Sequence, residues 1–82
     1  NRELEVLESA VEKAVGILKE KARICVISFH SLEDRLIKHT FRALKSEGLV
    51  DIITAKPLTP AAAEVSANPA SRSSKLRVAE RI

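Results

Sequence analysis

Ser28, His30 and Ser31 put two hydroxyls and an imidazole into four consecutive positions. They follow the apolar run Ile24-Cys25-Val26-Ile27 and precede the charged triplet Glu33-Asp34-Arg35. An imidazole near a hydroxyl is the raw material of nucleophilic or general-base chemistry. Residues this close together on a chain leaving a strand rarely point at one another, so a self-contained Ser–His pair is disfavoured. Ser31 is better read as a helix N-cap, its hydroxyl accepting from a backbone N–H that the helix leaves without a partner. For His30 a structural role and a substrate contact weigh equally. Its place raises the second: ligands of open α/β sheets sit beyond the carboxyl ends of the strands.

A second segment, Asn68-Pro69-Ala70-Ser71-Arg72-Ser73-Ser74-Lys75-Leu76-Arg77, is dense in hydrogen-bond donors. Arg72, Ser73, Lys75 and Arg77 suit phosphate contacts. The plainer alternative is a solvated loop with a basic strand edge, and composition alone slightly favours it. Arg35 stays open between reaching the rim of a site and holding a phosphate. Glu33 and Asp34 read as compensation of a helix dipole plus a surface ion pair of little worth.

Other chemistries are excluded or weakened. The only glycines are Gly16 and Gly48, so no glycine-rich loop can bring backbone amides onto a phosphate. His30 and His39 lack the i, i+4 spacing of helical metal ligands, and no metal is expected. One cysteine builds neither a disulfide framework nor a zinc site, and Cys25 reads as a small core residue. No apolar run of membrane-spanning length and no signal peptide is present, which predicts a cytoplasmic protein without membrane contact. Two Phe without Tyr or Trp argue against an aromatic platform for single strands.

Charge is uneven. Residues 1–35 carry six Lys/Arg and seven Asp/Glu, and residues 36–82 the remaining eight and four. A basic C-terminal half suits a polyanion such as RNA. At a net charge of +3 an ordinary solvated surface is about as good an account.

The elements that must position these groups follow from periodicity. Leu4, Leu7, Val11, Ala14 and Leu18 mark one face of a helix over residues 2–20, with acids near its start and Lys19 and Lys21 near its end. Gly16 inside it invites a close helix–sheet contact. Residues 23–29 read as a strand covered on both faces, because their apolar residues do not alternate. A second helix from Ser31 has Leu32, Leu36, Ile37, Thr40, Phe41 and Leu44 as its buried stripe and Gly48 just past its end. Residues 50–56 predict a strand, and Thr59-Pro60 a capped short helix through Ser66. In residues 75–82, Leu76 and Val78 alternate with Lys75, Arg77, Ala79 and Arg81, which predicts a last strand with one face less buried.

The segments Asn1-Arg2-Glu3-Leu4, Ser28-Phe29-His30-Ser31-Leu32-Glu33-Asp34-Arg35, Lys56-Pro57-Leu58-Thr59-Pro60 and Ser71-Arg72-Ser73-Ser74-Lys75-Leu76-Arg77 together resemble one family, in the same order and spacing. It is the ribosomal RNA small subunit methyltransferase H family, also called MraW-type. The resemblance implies an S-adenosylmethionine-dependent enzyme that methylates N4 of a cytidine in 16S ribosomal RNA. It covers only the C-terminal part of such proteins, so residues 1–82 are expected to be a fragment, inactive alone and binding no cofactor. Lys19-Glu20-Lys21-Ala22 stands where that family usually has a Pro-Gly-Gly-type turn.

The implied fold class is α/β, the C-terminal portion of a class I (Rossmann-like) methyltransferase sheet. Three strands with flanking helices are expected, the last inserting antiparallel between the other two. On this resemblance Ser28, His30 and Ser31 would line the target-base side of the cleft, while Arg35, Arg72, Ser73, Lys75 and Arg77 would hold RNA. Partners would be 16S ribosomal RNA or the small ribosomal subunit, with self-association possible through an exposed strand edge. The alternative is a free-standing basic RNA-binding or structural module without catalytic activity.

Overall fold

A computed structural model describes residues 2–82. Helix α1 (Arg2–Ile17) leads into strand β1 (Arg23–Ser28), helix α2 (Ser31–Ser46) and strand β2 (Val50–Ile52). A short helix α3 (Ala62–Ala67), a 3-10 turn (Pro69–Ser73) and strand β3 (Lys75–Arg81) complete the chain. The sheet order is β1-β3-β2, with β3 antiparallel to both neighbours. Strands β1 and β2 therefore run parallel, joined by the α2 crossover, with the last strand inserted between them as expected.

Both helices pack on one face of this sheet. Val11 and Val15 of α1 meet Ile37, Phe41 and Leu44 of α2 over Val50 and Ala79. Val15 and Val50 are completely buried, and Phe41 is the largest side chain sealed inside. The register puts Ile24 opposite Ala79 and Val26 opposite Arg77 on this covered face. Cys25 and Ile27, opposite Val78 and Leu76, point the other way.

That second face corrects the reading of β1 as covered on both sides. Cys25 is exposed and Ile27 is 60% exposed, so Cys25 is not a core residue here. Beyond their cross-strand neighbours Val78 and Leu76, little among the described residues covers them. β3 departs in the opposite sense. Its centre, Arg77-Val78-Ala79, is buried on both faces rather than on one.

Helix ends explain the shifted boundaries. α1 stops at Ile17 instead of continuing to 20, so Lys19 and Lys21 lie beyond its last turn, which holds no basic residue. The chain then turns tightly: the Ala22 N–H donates to the Lys19 carbonyl at 3.0 Å, with Lys21 at φ +70°. The turn forms even though a lysine occupies the left-handed position that favours glycine. Reciprocal backbone bonds to Arg81 from Lys21 and Ala22, each 2.8 Å, fasten it to the end of β3. A Cβ added to Gly16 would meet nothing within 4 Å, so no close contact accounts for this glycine.

At the other end of α2, Gly48 takes φ +78°. The Gly48 N–H donates to the Lys45 carbonyl and the Leu49 N–H to the Leu44 carbonyl, a Schellman motif that satisfies two terminal carbonyls. β2 ends at Ile52 instead of 56 because Thr54 takes over the pairing: its hydroxyl accepts from the Val78 N–H at 3.0 Å. Leu58 forms a separate bridge to Leu76. α3 starts at Ala62 after Ala61, and Thr59-Pro60 does not cap it.

Candidate functional site

The β1–β3 register brings the two donor-rich segments to one end of the sheet. Ser28, the last residue of β1, lies opposite Lys75, the first of β3. The turn into α2 leaves from one strand at this end, and the 3-10 turn enters the other. The corner is thus built from residues 28–35 and 69–77, which sequence spacing alone keeps far apart.

Within the corner the candidate residues separate into exposed and buried. His30 is exposed and occupies the N-cap position of α2 with extended backbone, φ −129° and ψ 145°. This corrects Ser31, which is the first helical residue and not the cap. No side chain caps this helix in the usual way. Instead the Glu33 carboxylate accepts from the Phe29 N–H at 3.3 Å, one residue earlier than in a standard capping box. His30 borders an open cavity of about 230 Å³ together with Leu4, Leu7, Leu32, Glu3 and Glu33. Leu32, expected in the buried stripe, is 60% exposed and lines this cavity instead.

Ser28 differs from its neighbours. It is 3% exposed, and its hydroxyl has no hydrogen-bond partner within the protein. It faces the α2 side of the sheet and does not share a surface with His30.

Arg77 is the principal correction among the proposed RNA contacts. Its Nε donates to Asp34 Oδ1 at 2.7 Å and a terminal nitrogen donates to Oδ2 at 3.1 Å. Both side chains are about nine-tenths buried, so the guanidinium is engaged inside the protein. The hydrogen bonds from Arg77 hold the Asp34 carboxyl below its ordinary range. Burial opposes this, while the charges of Arg77, Lys75 and Lys38 add to it. Asp34 is accordingly not a surface ion-pair partner.

The pairing has a trace in the sequence pattern. Asp34, Ile37, Phe41 and Leu44 follow one another at steps of three and four, so Asp34 belongs to the buried stripe. Arg77 shares its strand face with Ala79, the most deeply buried residue of β3.

Arg35, Arg72 and Ser73 are exposed and Lys75 is half-buried. The 3-10 turn that presents Arg72 and Ser73 is held internally. Asn68 Oδ1 accepts from the Ala70 N–H, the Ser71 hydroxyl donates to the Asn68 carbonyl, and the Ser74 hydroxyl donates to the Ser71 carbonyl. Three of the segment's polar residues therefore build the turn; Arg72 and Ser73 remain exposed, and Lys75 lies half-buried on the strand face it shares with Arg77.

A model of the MraW methylase family matches residues 1–82. The chain belongs to this family. Its α/β sheet with the order β1-β3-β2 fits the Rossmann-like fold of such methyltransferases. It is 51% identical over its whole length to the ribosomal RNA small subunit methyltransferase H of Sulfurihydrogenibium azorense, of which it covers 28%. The proteins of the same name from Kosmotoga olearia and Synechococcus elongatus are 53% and 50% identical, each covered over 27% of its length. The chain thus spans a little over a quarter of the curated relatives it matches.

Among the described residues no cluster of His, Cys, Asp or Glu could hold a metal ion, and no helix is long and apolar enough to cross a membrane. Neither glycine lies in a loop following a strand: Gly16 is the penultimate residue of α1 and Gly48 follows the end of α2.

Proposed function

We propose that this chain is the C-terminal segment of a cytoplasmic S-adenosylmethionine-dependent methyltransferase acting on N4 of a cytidine in 16S ribosomal RNA. The observation that carries the reading is whole-chain identity near 50% to relatives named ribosomal RNA small subunit methyltransferase H. The partly exposed second face of the sheet supports it. Cys25, Ile27 and Leu58 are apolar and exposed, as expected of surfaces that further parts of a larger sheet would cover. The cofactor would then be bound by those further parts.

In this reading the His30 corner is the target-base side. Cytosine N4 is a weak nucleophile, because its lone pair is delocalised into the ring, so the task is mainly to place it in line with the methyl donor. The base must leave any stacked helix to do so. The cavity beside His30 offers apolar walls from Leu4, Leu7 and Leu32, with polar groups at its rim. Arg35, Arg72, Ser73 and Lys75 would hold phosphates around it.

The test is methyl transfer by the full-length protein that carries this chain, using labelled S-adenosylmethionine with 16S ribosomal RNA or small subunits. Recovery of N4-methylcytidine after digestion is the expected result. No label in RNA, or label in another nucleoside, would overturn it.

A further inference from the structure

Resting on that reading of the corner, we infer that Asp34 and Arg77 form a positioning clamp that sets where His30 stands. Arg77 thereby acts through the protein and not on RNA.

The link is short. Arg77 grips the Asp34 carboxylate with two hydrogen bonds, and the Asp34 N–H donates to the His30 carbonyl at 3.1 Å. One residue therefore ties the buried centre of β3 to the first turn of α2 and to the backbone of His30. Other means of fixing this corner are weak. The helix has no side-chain cap, and the Glu33–Phe29 bond is exposed and long. Phe29 and Leu32, whose packing could have pinned the turn, are 51% and 60% exposed. At the far end the anchor is firm, since Arg77, Val78 and Ala79 are all buried.

A stabilising role alone would not call for charge. Buried ion pairs are often matched or bettered by apolar side chains of similar volume, because both charges must be desolvated. A bidentate Arg–carboxylate pair instead imposes direction, fixing the relative orientation of the two groups it joins. Orientation is what a corner presenting one exposed imidazole requires.

The full-length protein carries the test, as wild type and as D34N, R77K, R77M and the apolar pair D34L/R77M. Methyl transfer to 16S ribosomal RNA gives kcat and KM, and hydrogen exchange reads the amides of residues 29–34. The clamp is expected to lower kcat at least tenfold in D34N and D34L/R77M, with KM for RNA within twofold of wild type. R77K, which keeps the charge and one ionic contact, is expected to fold and to lose several-fold in kcat only. Amides 29–34 should exchange at least tenfold faster in D34L/R77M, while those of β3 stay protected.

A folded D34L/R77M protein with wild-type kcat and wild-type exchange overturns the inference, leaving the pair as internal packing. So does a raised KM with a flatter salt dependence in R77M or R77K that D34N does not share, because Arg77 would then contact RNA. A wild-type protein that transfers no methyl group refutes the reading of the corner. In that case the exchange at residues 29–34 alone decides the clamp, for or against.

Discussion

Arg77 and Asp34 lie 43 positions apart and meet through a double hydrogen bond sealed between the sheet and α2. Each belongs to a segment that reads, in the sequence, as polar surface. Their pairing turns one charge of each sign inward and joins the two segments into one corner. The exposed Arg35 and Arg72, with the half-buried Lys75, define what that corner can offer to a polyanion.

The pair has a thermodynamic signature. Removing one partner leaves the other buried and uncompensated, so D34N or R77M is expected to cost about 3–5 kcal/mol in chemical denaturation at neutral pH. The folded pKa of Asp34 is depressed below its ordinary value of 3.8. Its contribution is therefore fully present above that value and is lost as pH falls through the lower folded pKa. Denaturation midpoints measured from about pH 6 to about pH 2 should fall more steeply in wild type than in D34N. Equal slopes would mean that Asp34 titrates normally.

Backbone conformation gives three further changes of known sign. Lys21 at φ +70° carries the left-handed penalty, so K21G is expected to stabilise by about 0.5–1 kcal/mol. Gly48 needs its freedom for the Schellman motif, so G48A should destabilise by about 1–2 kcal/mol. Gly16 sits near the end of α1 with open space around it, and G16A should stabilise by up to about 1 kcal/mol. Urea titrations of the three variants check all of these signs.

Leu32 and Phe41 separate surface from core on the same helix. F41A removes a fully buried ring and is expected to cost about 3–5 kcal/mol. L32A touches an exposed wall of the His30 cavity and should change stability by less than about 0.5 kcal/mol. Under the proposed function L32A would still weaken methyl transfer, which a cavity without substrate would not show.

The free edge of β1 predicts behaviour of the 82-residue chain by itself. β3 pairs with one side of β1 along its full length, and no described strand pairs with the other. The edge carries one charge, Arg23, already bonded across the sheet to Glu80 at 3.0 Å, and has no proline to block addition. Sedimentation is expected to show concentration-dependent self-association. A monodisperse monomer across the micromolar range would contradict this.

Much of this architecture was legible because local signals and packing agree. Ile37, Phe41 and Leu44 lie where a 3.6-residue period puts them, and Gly48 stops α2 where a left-handed cap is needed. The family resemblance supplied the insertion of β3 between β1 and β2, which no local signal encodes. Cys25 and Ile27 misled, since an unbroken apolar run predicts a strand covered on both faces and here both side chains are exposed. Arg77 misled for another reason. A basic residue in a basic segment reads as surface until the aspartate 43 positions away is placed beside it.

Whether these 82 residues serve as the matching segment of a ribosomal RNA methyltransferase is decided by a chimaera in which they replace the aligned segment of the Sulfurihydrogenibium azorense relative. A folded chimaera is expected to place a methyl group on the same nucleoside of 16S ribosomal RNA as the unaltered relative. A folded chimaera that leaves this RNA unmethylated, beside an active parent, would contradict that role.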